Sequence, residues 1–278
     1  MLWNIVVPLA IAYAAIVALV YFFQPRLVYF PQIGRDIVGT PQAYGLDFES
    51  VNIPTGDGET LGAWWVPAKD ARGTILFFHG NAGNISHRID YLLMFRKLGY
   101  ATLIFDYRGY GKSTGSPSEE GTYRDADAAW RWLTQTRGIQ PGSIVYAGES
   151  LGGAVASWLA VRHPPRALVL LSTFTSAPDL GAQVYPFIPV RLISRFSYDN
   201  LANLRQIKVP VLVAHSRDDD IVPFAHGRRI FEAAGEPKQF LEMRGGHNDG
   251  FIFMREEWVR VLAGFLEQHA GASQDKKN

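Results

Sequence analysis

The chain opens on an unbroken apolar run and then changes rhythm. From Ile5 to Phe23 it reads IVVPLAIAYAAIVALVYFF, nineteen positions without a charge. As a helix rising about 1.5 Å per residue, that run comes close to the roughly 30 Å of a hydrocarbon core. Aromatic residues gather at its end, Tyr21, Phe22 and Phe23 and then Tyr29 and Phe30, around Gln24-Pro25-Arg26. Amphipathic rings and a cation are what the headgroup level favours. Pro8 lies near the start, where a proline costs a helix least. A cleavable signal sequence is the competing reading, with Ala10-x-Ala12 or Ala12-x-Ala14 as cleavage sites. Both lie inside the apolar run, which lacks a basic segment before it and exceeds the ~7–15 residues of a signal's apolar core. The pattern predicts an uncleaved transmembrane anchor over residues 1–25 and a juxtamembrane segment over 26–46.

Beyond that segment, short apolar runs rich in β-branched and aromatic residues alternate with longer stretches of helical period, as βαβ units and a mostly parallel sheet require. Asp47–Ile53 and Leu61–Val66, joined by Pro-Thr-Gly-Asp-Gly at 54–58, read as an antiparallel hairpin at the start of the sheet. Later strands are expected at Thr74–Phe78, Ala101–Phe105, Ser143–Ala147, Ala167–Ser172, Val211–Ala214 and Gln239–Met243, largely apolar as strands covered on both faces should be. Helices are expected near 85–98, 117–136, 151–163, 224–234 and 250–268. The fold class is α/β, one domain over 47–270 with helices on both faces of the sheet, followed by a disordered tail at 271–278.

Composition narrows the function more than the fold. With 27 basic and 26 acidic residues the formal net charge is +1, and no segment gathers Lys and Arg into a stripe, so nucleic acid is not an expected partner. The absence of cysteine removes disulfides, thiol nucleophiles and thiolate-metal sites, but is compatible with either redox compartment. Arg26 and Arg35 follow the apolar run, while only the α-amino group precedes it. By the positive-inside rule the body leans towards the cytoplasm.

The candidate chemistry begins at Gly148-Glu149-Ser150-Leu151-Gly152, a match to G-x-S-x-G. The pattern is weak alone. Here an apolar strand ends just before it and a small-residue helix starts just after, so Ser150 occupies a sharp strand-to-helix turn. Glycines are needed there because the two backbones approach closely, and the turn lifts Oγ to a helix N-terminus that favours developing negative charge. The plain alternative is an N-cap serine in a tight βα loop. A nucleophilic serine needs a base and a carboxylate that orients it. His247 in GGHND follows the last strand, and Asp218, Asp219 and Asp220 in AHSRDDDIVP follow the strand before it, at the edge where ligands bind in open α/β sheets. The order Ser, Asp, His is that of α/β hydrolases. His87, His163, His215 and His226 match no metal-ligand spacing and no HExxH occurs, so neither metal nor cofactor is expected.

The segments FQPRLVYFP, FFHGNAGN, DYRGYGKSTGSPSEEG, GESLGG, HSRDDDIVP and GGHND, in this order, resemble the membrane-anchored Bem46/ABHD13/ABHD17-type serine hydrolases of the α/β-hydrolase fold. The resemblance implies Ser150 as nucleophile, His247 as base and Asp219 as the orienting acid, with Asp218 and Asp220 as surface or loop-capping carboxylates. It implies an oxyanion hole from the N–H groups of Asn81 and Leu151, with Ala82 the alternative first donor. His79 is expected to bond its own loop. Asp106, Arg108 and Ser113 are expected to form a turn network beside the site, and the effect of Glu149 on its neighbour is left open. The interval between the strands at 172 and 211 is short, with room for a helix or two over 183–200, so the cap is minimal. Its apolar residues suggest an acyl-binding wall, and Arg191 and Arg195 either meet phospholipid headgroups or stay solvated on a packed cap helix. The expected activity is hydrolysis of a carboxylic ester or thioester through an acyl-enzyme, on a small-molecule or lipid-like acyl substrate. Alternatives are an amide or peptide hydrolase of the same fold, or a membrane-tethered interaction protein without catalysis.

Overall fold

Alternate side chains of a strand leave the backbone on opposite faces, and in the central strands of this chain both faces are apolar and buried, so those strands must be covered twice. The computed structural model describes residues 2–248 and 255–270. Among them, eight strands form one sheet: β1 (Glu49–Pro54), β2 (Thr60–Val66), β3 (Thr74–Phe78), β4 (Ala101–Phe105), β5 (Ile144–Glu149), β6 (Ala167–Leu171), β7 (Val211–Ser216) and β8 (Lys238–Met243). Across the sheet they run β1-β2-β4-β3-β5-β6-β7-β8. The β1–β2 and β2–β4 pairings are antiparallel and the rest are parallel.

The long helices are α1 (Trp3–Val28), α2 (Ile89–Lys97), α3 (Glu119–Arg131) and α4 (Leu151–Arg162). Three short ones follow, α5 (Ala177–Val184), α6 (Val190–Ile193) and α7 (Asn200–Leu204), and then α8 (Phe224–Ala233) and α9 (Glu256–Ala270). Leu76 and Phe78 of β3 and Leu168 and Leu170 of β6 enter one apolar layer, with residues of α3, α4 and α8. Their neighbours Ile75, Phe77, Val169 and Leu171 enter the other, with residues of α2 and α9. The period of two along each strand thus builds both cores.

Most differences from the sequence reading are at element ends. β5 continues to Glu149 and β7 to Ser216, carrying the sheet up to the candidate chemistry. The stretch expected near 85–98 begins with a 3₁₀ turn at Ile85–Arg88, and the one near 117–136 ends in a π turn at Trp132–Thr136. The start of the helix expected at 250 and the tail at 271–278 lie outside the described residues. Over 183–200, where a helix or two is expected, α6 lies whole, with the end of α5 and the start of α7 at its margins. Ser176 caps α5 by accepting the Asp179 N–H, Asp199 caps α7 by accepting that of Ala202, and Pro186 and Pro189 interrupt the chain between them.

The helix α1 is longer than the apolar run at both ends. Its most apolar window has a mean hydropathy of 2.5 and is 0% buried, and of its residues only Gln24 is buried by the body. It is long and apolar enough to cross a bilayer.

Candidate active site

Ser150 stands between β5 and α4 with φ 52° and ψ −115°, a backbone that costs a residue bearing Cβ on the order of 1–3 kcal/mol and persists only where its surroundings impose it. Here they do. Its N–H donates to the Leu171 carbonyl at 2.8 Å, and its own carbonyl accepts the Thr173 hydroxyl at 2.7 Å and the Gly153 N–H at 3.0 Å. The flanking glycines have a steric cause: a Cβ at Gly148 would lie 2.5 Å from the Gly152 carbonyl oxygen, and one at Gly152 would overlap the carbonyl oxygen of Phe78. Turn, helix and neighbouring strand are therefore packed backbone against backbone, and Oγ is thrust towards the carboxyl edge of the sheet.

His247 follows β8 and Asp219 follows β7, adjacent parallel strands, so both loops open at that same edge. His247 Nδ1 lies 2.8 Å from Asp219 Oδ2 and 3.0 Å from Oδ1, and Nε2 lies 3.1 Å from Ser150 Oγ. With a carboxylate facing Nδ1, that nitrogen carries the proton and the Nε2 lone pair faces the serine. Asp219 is itself fixed, its Oδ1 accepting the N–H groups of Ile221 at 3.0 Å and Val222 at 2.7 Å. Asp220 Oδ1 accepts the backbone N–H of His247 at 2.8 Å, and that bond holds its carboxyl below the usual range. Asp218 turns away to Arg244 at 3.1 Å. Behind Asp219, buried His215 places Nε2 2.8 Å from the Val222 carbonyl, and burial lowers its pKa.

The HGNAGN loop leaves β3 beside this cluster. Asn81 accepts the Tyr110 hydroxyl on its side-chain oxygen at 2.8 Å, and Ala82 pairs with Phe30 in an isolated parallel bridge. Leu151, first residue of α4, carries one of the N–H groups that a helix start leaves without an intrahelical carbonyl. His79 Nδ1 lies 2.7 Å from the Gly80 carbonyl. Asp106 Oδ1 accepts the Ile85 N–H at 2.9 Å, its carbonyl accepts the Ser113 hydroxyl at 2.7 Å, and Arg108 donates to Asp125 and Asp57.

Three residues of this region were not assigned a place from sequence. Arg88 grips Glu149 with Nε at 2.8 Å and Nη2 at 3.2 Å, and Nη2 also donates to the Ala82 carbonyl at 3.2 Å. The residue before the serine is thereby tied to the loop carrying Asn81 and Ala82. Asn84 donates from Nδ2 to the carbonyls of Gly34, Arg35 and Asp36 at 2.8, 2.9 and 2.9 Å, tying the same loop to the segment after α1. Motif membership was the only sequence signal for Glu149 and Asn84, and Arg88 had none. Among the described residues no group of three His, Asp or Glu side chains is suited to a metal ion.

A mostly parallel sheet covered on both faces, with an acute strand-to-helix serine turn at its carboxyl edge, is the architecture of the α/β hydrolases. Residues 73–192 match the family described as alpha/beta hydrolase fold. Protein bem46 of Schizosaccharomyces pombe is 35% identical over 264 residues, covering 90% of this chain and 87% of that protein. Lysophosphatidylserine lipase ABHD12 of Danio rerio is 32% identical over 299 residues, covering 89% and 76%. Among solved structures, the Pyrococcus furiosus esterase Pf2001 superposes with a TM-score of 0.71 at 22% identity, covering 86% of this chain and 98% of that one. The chain belongs to the α/β-hydrolase family, in the group that includes bem46 and ABHD12.

Proposed function

We propose that this protein is a membrane-anchored serine hydrolase that cleaves carboxylic esters or thioesters through an acyl-enzyme. The observation that carries the reading is the continuous chain of contacts from Asp219 to His247 at 2.8 Å and from His247 to Ser150 Oγ at 3.1 Å. Ser150 Oγ attacks the acyl carbonyl as its proton passes to His247 Nε2. Asp219 holds the ring in the tautomer that can accept it and stabilises the imidazolium that results. The N–H groups of Asn81 and Leu151 receive the oxyanion, with Ala82 the alternative first donor; loss of one such donor typically costs about 2.7–4 kcal/mol of barrier. Collapse expels the alcohol or thiol, which takes the proton from His247. A water then repeats the sequence on the acyl-enzyme, the proton going to His247 and back to Ser150.

The helix α1 supplies the anchor, and Arg26 and Arg35 after it favour a body on the cytoplasmic side. That ABHD12 bears the name of a lysophosphatidylserine lipase supports a lipid-like acyl substrate. Ser150→Ala is expected to abolish both turnover of a short p-nitrophenyl ester and labelling by a fluorophosphonate probe. Persistence of both in the variant rules the assignment out.

A further inference from the structure

The cap is fastened to the apolar helix at two depths. Near the end of α1, Gln24 Nε2 donates to the Ile193 carbonyl at 2.7 Å and its Oε1 accepts the Arg195 N–H at 2.8 Å. Much nearer the start, Tyr13 Oη donates to the Phe187 carbonyl at 2.9 Å. The segment from Ile193 back to Phe187 therefore runs alongside α1, and at about 1.5 Å per residue Tyr13 lies roughly 16 Å further along the helix than Gln24. The cations Arg26, over the Phe23 ring at 5.3 Å, and Arg195, over the Tyr21 ring at 5.7 Å, cluster near the Gln24 end, where a headgroup level is expected. If Gln24 sits at that level, Phe187 sits at hydrocarbon depth.

The segment is built for such a place. Phe187 and Leu192 are 85% and 87% exposed, and Val184 and Tyr185 are exposed beside them. Lipid offers backbone groups no partner, so an irregular segment there must satisfy its own. Pro186 and Pro189 have no N–H to satisfy, and the N–H groups of Tyr185, Ile188, Val190, Leu192, Ile193 and Ser194 bond to carbonyls within the cap, which leaves those of Phe187 and Arg191. The carbonyls of Phe187 and Ile193 are taken up by α1. Arg191, the one charged residue between 184 and 194, turns back to Asp179 at 3.1 Å.

The same geometry orients the site. The cap leaves the sheet after β6, where Thr173 bonds the Ser150 carbonyl. The chain leaving α1 pairs at Phe30 with Ala82 of the HGNAGN loop. Both walls of the carboxyl edge thus lead to the apolar helix.

We infer that the cap segment Tyr185–Ile193 enters the leaflet beside α1, and that Ser150 receives the acyl ester of a bilayer-resident lipid laterally, its chain never crossing water. This rests on the hydrolase and anchor readings above, and the tests separate them. Because the chain has no cysteine, Phe187→Cys, Leu192→Cys and, as a control on the body, Lys69→Cys each give a single nitroxide site in the full chain reconstituted into phosphatidylcholine vesicles. Labels at 187 and 192 should collide more with oxygen than with aqueous nickel chelate, and the label at 69 the reverse. Equal access of nickel to all three, with the protein still floating with the vesicles, overturns the inference and spares the anchor. Failure to float overturns both. In the Phe187→Glu/Leu192→Glu variant the ratio of turnover on a vesicle-borne long-chain ester to that on a soluble short-chain ester should fall at least about tenfold, since a carboxylate at depth opposes insertion. An unchanged ratio also overturns the inference. Lipid-immersed labels, with a wild-type chain that cleaves neither ester, leave the cap's place intact and refute the hydrolase reading together with the delivery of an ester to Ser150.

Discussion

Glu149 places a carboxylate one residue before Ser150, at the acute turn into α4. Its carboxylate is neutralised in place by Arg88, whose side chain is as little exposed as its own, 15% for each. Breaking such a pair from one side strands the other charge, whereas removing both halves does not. Glu149→Ala is therefore expected to lower stability by about 2–3 kcal/mol, less than for a fully buried pair, and Arg88→Met/Glu149→Ala by clearly less than the sum of its single changes. Urea unfolding of the four proteins in detergent measures the coupling; additive losses would mean that the pair does not hold the loop to the turn. The partners are far apart in sequence and nothing in either segment names the other. Ser150, Asp219 and His247 could be picked out because each sits in a local motif next to a strand end. Arg88 is an ordinary helix-start residue until the fold brings it against β5.

The turn that carries Ser150 is an element-level device, set by the contact of α4 with β3 as much as by the serine. Gly152→Ala is expected to separate the two elements, lowering thermal stability and abolishing fluorophosphonate labelling together. Gly142→Ala, where a Cβ meets nothing within 4 Å, should leave both as they are; normal labelling of Gly152→Ala would show that α4 can shift without moving Ser150. Elements of this kind were legible where a period had room to repeat. β3 and β4 begin and end where the apolar runs do, and α4 fills its small-residue stretch. The short α5, α6 and α7 give a period of 3.6 too few residues to register, and their capping serine and aspartate read equally well as loop residues. The outer residues of β5 and β7 are polar, and they extend as strand because a paired neighbour holds them, which no local pattern conveys.

Taken whole, the molecule buries imidazoles that have no role as base, and acid stability should record it. Burial lowers the pKa of both His215 and His226, while an unfolded chain titrates them near about 6.5. Below that value the unfolded state takes up protons that the folded state refuses, so stability present at neutral pH is lost as pH falls towards the folded values. Melting temperature in detergent should decline between pH 7 and 5, and His226→Asn, which keeps an acceptor for the Thr175 N–H that His226 Nδ1 accepts at 3.1 Å, should decline less. Identical slopes would assign the loss to other groups. The carboxyls of Asp220 and Glu242, held low by hydrogen bonds, act only in more acid solution. The body is also joined to the segment that follows α1 by more than the peptide chain. Tyr29 shares a 2.7 Å hydroxyl contact with Tyr198, which is 2.9 Å from Thr122, and Phe30 forms its bridge to Ala82. Cleavage beyond Phe30 would thus strip the HGNAGN loop of its bridge and Tyr198 of one hydroxyl partner, so that losing α1 and loosening the loop beside Ser150 become the same event.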